Sequence, residues 1–327
     1  MISPLMKVLD LFLNPQTHRL RSGWRALIFL ALVLLPRLAT LFITTEAPAG
    51  SSSSYFEVDG SMVVVYAALI LWVALISWFC LRFLERLPLA ALGYAFHRGW
   101  LCDFSLGLAI SGAMILLVVL IQFLGGGTQI RLNPEWLQSG GVPWRSLLLS
   151  IGLATLLLTV AASFEEIVFR GYVFQTLVRD VPVAIPLLLL SLLFGLAHWS
   201  NPSRTLFSTT NTVLAGIWLA VAFLKTRSLW LPTGLHLGWN WTMGVFFGIP
   251  VSGLPLRKTV LLTTSGSPEW LTGGSYGCEG GLAATLVLGL STALIWRASW
   301  LLVSPEMRSA NSTPTHTEEK PLQLDLQ

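Results

Sequence analysis

The sequence predicts an all-α fold, a polytopic membrane helical bundle with about eight transmembrane helices. Of the 327 residues, 54% are hydrophobic and only 11% are charged, and the mean hydropathy is +0.70. A soluble domain carries about 25% charged residues, so this chain has too few charges to cover a surface that faces water. We therefore expect a multi-pass integral membrane protein, which we assign to the plasma membrane, and exclude a soluble enzyme.

Each predicted helix is a mainly apolar run of about 20 residues, the length that crosses a bilayer. The first run is longer than the apolar region of a signal peptide, which predicts a retained helix. The fifth is short, and the seventh is interrupted by Pro232, Gly234 and Gly238. The eight predicted runs cover residues 24–45, 62–84, 104–124, 147–169, 183–199, 207–223, 229–247 and 282–303.

The charges and cysteines indicate topology and exclude some functions. The net charge is +4, and lysine and arginine residues are concentrated on one side of the predicted bundle, so both termini are predicted to be cytoplasmic. No basic run resembles a nucleic-acid footprint, so a nucleic-acid partner is not expected. The three cysteines lack CxxC spacing, which argues against a disulfide framework or a thiolate metal site.

Two adjacent carboxylates, Glu165 and Glu166, follow an apolar run at residues 147–162. A charged side chain within lipid costs ~2.5–3.5 kcal/mol on insertion scales and is tolerated where it faces protein or a wet cavity. On a helix, Glu166 and Arg170 lie four residues apart and can pair, whereas Glu165 points about 100° away. The pairing leaves Glu165 free for chemistry.

Two of the five histidines lie within the later apolar runs. His198 follows Phe194 by four residues, and His236 precedes Asn240 by four, so each pair lies on one helical face. A carboxylate and an imidazole can activate water, and an imidazole and an amide can stabilise an oxyanion. These residue types therefore permit hydrolysis. Glu165, His198 and His236 also have the chemistry of a catalytic zinc set, so zinc is left open as a cofactor.

The same side chains allow two other interpretations. A Glu/His cluster within a membrane can form the proton relay of a coupled transporter. Alternatively, these groups can hold together a non-catalytic membrane immunity or scaffold protein through hydrogen bonds between helices. No internal repeat is visible in the sequence, which counts modestly against the transporter.

Taken together, three motifs resemble those of the CPBP family of intramembrane proteases, which includes the CAAX prenyl endopeptidases. The motifs match in residue type, internal spacing and order. They are Glu165-Glu166-x-x-x-Arg170, Phe194-x-x-x-His198 and His236-x-x-x-Asn240.

The resemblance implies a bundle that encloses a polar intramembrane cavity, and peptide-bond hydrolysis near the cytoplasmic face. It implies that Glu165 and His198 activate water and that His236 and Asn240 stabilise the oxyanion. Supporting roles are expected for Glu166, Arg170 and Phe194. Family names include "metalloprotease", but the resemblance does not decide whether zinc is needed.

We therefore predict a CPBP-type intramembrane endopeptidase acting on a membrane-associated or lipidated, CAAX-like protein or peptide. Its expected partners are membrane lipid and that substrate. The predicted organisation is a cytoplasmic basic lead (1–23), N-terminal transmembrane helices (24–144), a catalytic helical core (145–250), an extracytoplasmic loop (251–281), a last transmembrane helix (282–303) and a disordered cytoplasmic tail (304–327).

Overall fold

The structure, a computed structural model, describes residues 10–15, 17, 19–43, 58, 60–134 and 144–312. These residues are mostly helical. In chain order the helices are α1 (Ser22–Ile43), α2 (Gly60–Cys80), α3 (Trp100–Leu124), α4 (Trp144–Glu166), α5 (Tyr172–Asp180), α6 (Ala184–Ala197), α7 (Leu206–Thr226), α8 (Trp230–Trp241), α9 (Glu269–Thr272), α10 (Leu282–Arg297) and α11 (Pro305–Asn311). Helices α2, α4 and α8 are each continued by a π-helical turn, at Leu81–Glu85, Ile167–Gly171 and Thr242–Phe246.

The described chain contains four helical stretches that are long and apolar enough to cross a membrane. They are Gly60–Glu85, Trp100–Leu124, Trp144–Asp180 and Leu206–Thr226. The prediction of eight transmembrane helices is not confirmed, although all eight predicted runs contain helix. For the fifth run the difference is one of length: α6 has 14 residues, about 21 Å at 1.5 Å per residue, which is short of the ~30 Å of a hydrocarbon core.

Helices α7 and α8 form the centre of the bundle. Trp218 on α7 and Leu231 and Leu235 on α8 are at most 1% exposed. Helix α8 packs against α3, α4 and α7, and α7 also packs against α6 and α10. Because α8 is surrounded on several sides, any polar side chain that it carries faces protein or an internal cavity rather than lipid.

Helix α8 lies unusually close to α3 because small residues meet at the crossing. A Cβ added at Gly234 would lie 2.2 Å from the backbone oxygen of Phe104, and one added at Gly238 would lie 2.2 Å from the hydroxyl of Ser111. Small residues four apart are typical of tightly packed membrane helices. The glycines that interrupt the seventh apolar run therefore leave the helix unbroken and allow this contact.

We expect Gly234→Leu to lower the midpoint of thermal unfolding, measured by circular dichroism of the protein in detergent. The new side chain would overlap a backbone atom of α3, and overpacking typically costs ~1–3 kcal/mol. Gly152→Leu on α4 is the matched control, since a Cβ there meets nothing within 4 Å. Equal midpoints for the two variants would show that the crossing does not depend on this glycine.

A buried ion network ties the start of α1 to the rest of the bundle. Arg25 donates to Glu85 and also, at 2.9 Å, to Asp180. The Tyr172 hydroxyl donates to Glu85 at 3.0 Å. Removing one member of a buried pair costs about 3–5 kcal/mol. Arg25 therefore anchors α1 to the rest of the bundle.

A small sheet departs from the predicted all-α class. Strand β1 (Thr128–Leu132) pairs antiparallel with β2 (Leu261–Ser265), with Thr128 opposite Ser265 and Leu132 opposite Leu261. Strand β2 lies in the segment predicted as an extracytoplasmic loop, which also contains α9. The sheet joins segments more than 120 residues apart, so no local pattern in either segment predicts it.

The structure also differs from the sequence prediction at the C-terminal tail. Residues predicted to begin a disordered segment instead form α11, whose first turn is capped by the Ser304 side chain accepting from the backbone N–H of Met307 at 3.2 Å. Residues 1–9 of the predicted lead and 313–327 of the predicted tail lie outside the described residues.

Candidate active site

Glu165 and Glu166 are placed by the end of α4, where the backbone widens into the π-helical turn. Single π-helical turns inside helices occur frequently at functional sites. The Glu166 side chain is 0% exposed, whereas that of Glu165 is 27% exposed and lines an internal cavity. The two neighbouring carboxylates therefore have different environments, as the sequence predicts.

The Glu166–Arg170 pair is buried and structural. Arg170 donates to Glu166 Oε1 at 3.0 Å and, through its other terminal nitrogen, to the backbone oxygen of Gly216 on α7 at 3.0 Å. Its guanidinium lies 4.4 Å from the centre of the Phe194 ring, within range of a cation–π interaction. The pair thus joins α4, α6 and α7.

Both motif histidines direct Nε2 towards Glu165. His236 Nδ1 lies 2.9 Å from Glu166 Oε1, and His198 Nδ1 lies 2.8 Å from the backbone oxygen of Phe194. Both oxygens are acceptors, so each Nδ1 carries the proton, and in a neutral ring Nε2 holds the lone pair. These Nε2 atoms lie 3.8 Å (His236) and 4.0 Å (His198) from Glu165 Oε2.

The Glu165 Oε2 atom is buried and has no hydrogen-bond partner within the described part of the chain. Its distances of 3.8 and 4.0 Å to the two imidazole nitrogens are too long for direct hydrogen bonds but suit a bridging water. A buried polar atom without a partner calls for such an explanation. The three atoms together define a position where a water molecule can donate protons to its neighbours.

Asn240 lies one helical turn after His236 and lines the same cavity. Its side-chain amide makes no hydrogen bond with any residue that the structure describes. The amide is therefore available to donate to an oxygen atom of a molecule in the cavity. Phe194 packs beneath both imidazoles, with ring centres 5.0 Å from His198 and 6.0 Å from His236.

The cavity has a volume of about 380 Å³, within the ~300–1,000 Å³ range of small-molecule pockets. The motif residues Glu165, His198, His236 and Asn240 lie in its wall. Leucine side chains of α4 and of the loop after α8 form apolar parts of the wall, at Leu157, Leu158, Leu254 and Leu256. A cavity therefore lies at the motif residues, and its lining is mainly apolar with a few polar groups.

Sequence reasoning missed several polar residues of this cavity. Glu279, Ser252 and Asn211 line it but were not singled out, because the first two lie in the predicted loop and Asn211 reads as one amide in an apolar run. Trp239 also lines the cavity. The one available signal was an acid within a glycine-rich run, Gly277-Cys278-Glu279-Gly280-Gly281.

The three residues considered as zinc ligands come together but do not form a metal site. No group of three or more His, Cys, Asp or Glu side chains in the described ranges is arranged to hold a metal ion. The 3.8 and 4.0 Å separations around Glu165 Oε2 exceed the about 3.4 Å expected between tetrahedral ligands with bonds of ~2.1 Å. We therefore derive no step through a metal.

One comparison with known proteins gives a match. Residues 146–242 match the family model described as type II CAAX prenyl endopeptidase Rce1-like, whereas no curated protein and no solved structure matches the chain. The matched segment begins in α4, ends just after α8 and contains all seven motif residues. The resemblance stated from the motifs is confirmed: over residues 146–242 the chain carries an Rce1-like domain of the CPBP family.

Proposed function

We propose that this protein is an intramembrane endopeptidase whose attacking water is activated by Glu165. The observation that carries the proposal is the convergence of Glu165 Oε2 with the Nε2 atoms of His236 and His198, at 3.8 and 4.0 Å, inside a cavity. These atoms would hold a water molecule beside the position of a bound peptide bond. The match of residues 146–242 to the CAAX prenyl endopeptidase family model supports hydrolysis as the reaction.

In the proposed mechanism Glu165 acts as general base. It takes a proton from water while the water oxygen bonds to the carbonyl carbon of the substrate. The C–N bond then breaks, and the proton passes from Glu165 or His198 to the leaving amine. His198 is held in one tautomer by the Phe194 carbonyl, so its Nε2 can accept and return a proton.

Asn240 and His236 would stabilise the charge that develops on the carbonyl oxygen. The free amide of Asn240 can donate to that oxygen without breaking an existing bond to a described residue. His236 donates from Nε2 only when both of its nitrogens are protonated. The Glu166 carboxylate on Nδ1 would stabilise the imidazolium, as the aspartate does in a Ser-His-Asp triad.

The substrate class that we propose is a membrane-associated or lipidated, CAAX-like protein or peptide. The leucine-lined parts of the cavity suit apolar side chains or a lipid chain, and the family model is that of prenyl endopeptidases. Membrane lipid is the expected surroundings of the four candidate spanning helices.

Peptide mass spectrometry of membranes tests this function. We expect membranes that contain the wild-type protein to show new peptide ends that are absent from membranes containing equal amounts of Glu165→Gln protein. Identical peptides in both samples would contradict the proposal. Proton-coupled flux in proteoliposomes would then support a transporter, and full biological activity of a double Glu165/His236 variant would support a non-catalytic scaffold.

We expect cleavage to persist after metal removal, because no group of three or more His, Cys, Asp or Glu side chains in the described ranges is arranged to hold a metal ion. The measurement is elemental analysis of chelator-treated protein together with its rate of peptide cleavage. Activity with far less than one metal ion per chain is the expected result. Loss of activity in step with the metal, and recovery on adding zinc, would contradict the metal-free mechanism.

A further inference from the structure

A second carboxylate lies in the cavity, outside the segment that matches the family model. Glu279 belongs to the turn before α10 and lines the same cavity as Glu165. Among the described residues of the cavity wall, these two are the acids, and none is a lysine or arginine. The cavity is therefore lined by more negative than positive charge.

The Glu279 carboxylate is fixed in place by neutral donors. Trp239 Nε1 donates to Oε1 at 3.0 Å, and the backbone N–H and hydroxyl of Ser252 donate to Oε2 at 2.7 and 2.9 Å. No lysine, arginine or histidine of the described chain forms an ion pair with it. Charges removed from bulk water are normally paired, and this one has only hydrogen bonds.

The turn that presents Glu279 is built to a fixed shape. Gly277 has φ +100°, and a Cβ there would lie 2.2 Å from the backbone oxygen of Pro250. Asn211 on α7 donates from Nδ2 to the backbone oxygens of Glu279 and Gly281 at 2.7 and 3.0 Å. The carboxylate therefore does not move freely in a loop, and a ligand that met it would bind a preorganised group.

Two neighbouring indoles line the cavity. Trp218 and Trp239 both line it, with ring centres 5.8 Å apart. Trp239 uses its N–H edge to bind Glu279, and Trp218 donates to Ser291 at 3.0 Å. The faces of indole rings attract ammonium and guanidinium groups. A carboxylate that contacts one indole, with a second indole packed against the first, has the chemistry of a site for an organic cation.

We propose that Glu279 binds a positively charged group of the substrate, either a lysine or arginine side chain or a free amino terminus. This inference rests on the proposed function, because it places the cation and the scissile bond in one cavity. It adds that the enzyme selects peptides carrying a basic group near the bond that Glu165 hydrolyses, with apolar residues around it.

Binding to a catalytically disabled protein tests the inference without requiring cleavage. The background is Glu165→Gln protein in lipid vesicles, with and without a second change, Glu279→Gln. Three fluorescent, leucine-rich octapeptide amides serve as probes: one acetylated with a central lysine, one acetylated with norleucine in its place, and one with norleucine and a free amino terminus. Comparing the two proteins cancels the partitioning of each peptide into lipid.

We expect the lysine peptide to bind Glu165→Gln protein about tenfold more tightly than the acetylated norleucine peptide. A gain of at least this size is typical of a hydrogen bond to a charged group. The preference should disappear in the doubly substituted protein. Glu279→Asp in the same background should retain it, which excludes misfolding as the cause. A gain confined to the peptide with the free amine would assign the site to an amino terminus.

Equal affinities for all three probes, or an equal loss for all of them on Glu279→Gln, would overturn the inference and leave Glu279 as a structural anchor of Trp239. If wild-type protein cleaves peptides without any such preference, only the cation site is rejected. If it cleaves nothing but the preference is present, the endopeptidase proposal fails and the binding site stands.

Discussion

Replacing Glu165 by glutamine is expected to lower kcat for peptide cleavage by about a hundredfold to ten-thousandfold. The amide has nearly the shape of the carboxylate but cannot take a proton from water, and general base catalysis contributes ~10²–10⁴-fold. Because Glu165 Oε2 has no hydrogen-bond partner within the described residues, the change removes no described hydrogen bond at that atom. The unfolding midpoint should therefore stay at the wild-type value. The measurements are kcat of purified protein in lipid vesicles and its thermal unfolding.

Glu166, the next residue in the chain, provides the matched control for Glu165→Gln. Glu166→Gln keeps the Glu165 carboxylate but weakens the contacts to Arg170 and His236, at 3.0 and 2.9 Å. Its first effect should be a lower unfolding midpoint, since breaking a buried ion pair costs about 3–5 kcal/mol. Wild-type kcat in the Glu165→Gln protein would be incompatible with a general base at this position.

Replacing Asn240 by alanine is expected to lower kcat by about a hundredfold to a thousandfold with little change in KM. Loss of one oxyanion donor typically has an effect of this size, ~10²–10³ in kcat. The amide makes no hydrogen bond with a described residue in the free protein, so its contribution arises when charge develops on the carbonyl oxygen. Steady-state kinetics of the purified protein measures both constants.

Asn201 provides the comparison for this variant. Its amide also lines the cavity but is already engaged, donating to the backbone oxygen of Ser252 at 3.0 Å. Asn201→Ala should therefore change kcat much less than Asn240→Ala does. If Asn240→Ala instead raised KM more than it lowered kcat, the amide would bind the substrate and the transition state equally well.

The site was predictable from sequence where its contacts are local. Glu166 and Arg170 are four residues apart, and helical geometry alone brings them together, as it does His198 Nδ1 and the Phe194 carbonyl. The contact of His236 with Glu166 spans 70 residues. Spacing cannot predict such a contact; the family resemblance only implied that these motifs share a cavity.

The features that the sequence did not predict depend on tertiary contacts between distant segments, which local patterns do not encode. Hydropathy identified the apolar runs and the shortness of the fifth, but it did not show that the helix of this run ends at Ala197 after 14 residues. Glu279 enters the cavity because Asn211 and close glycine contacts fold its turn against α7. An acid in a loop ordinarily faces water, so sequence reasoning passed over it.

A single-turnover reaction in H₂¹⁸O with added hydroxylamine examines the water that Glu165 is proposed to activate. Direct attack predicts one ¹⁸O atom in the new carboxyl terminus of the peptide and no hydroxamate product. Formation of a hydroxamate, or a new carboxyl terminus without ¹⁸O, would indicate a covalent intermediate or another source of oxygen. Either finding would contradict hydrolysis by a water held between Glu165, His198 and His236.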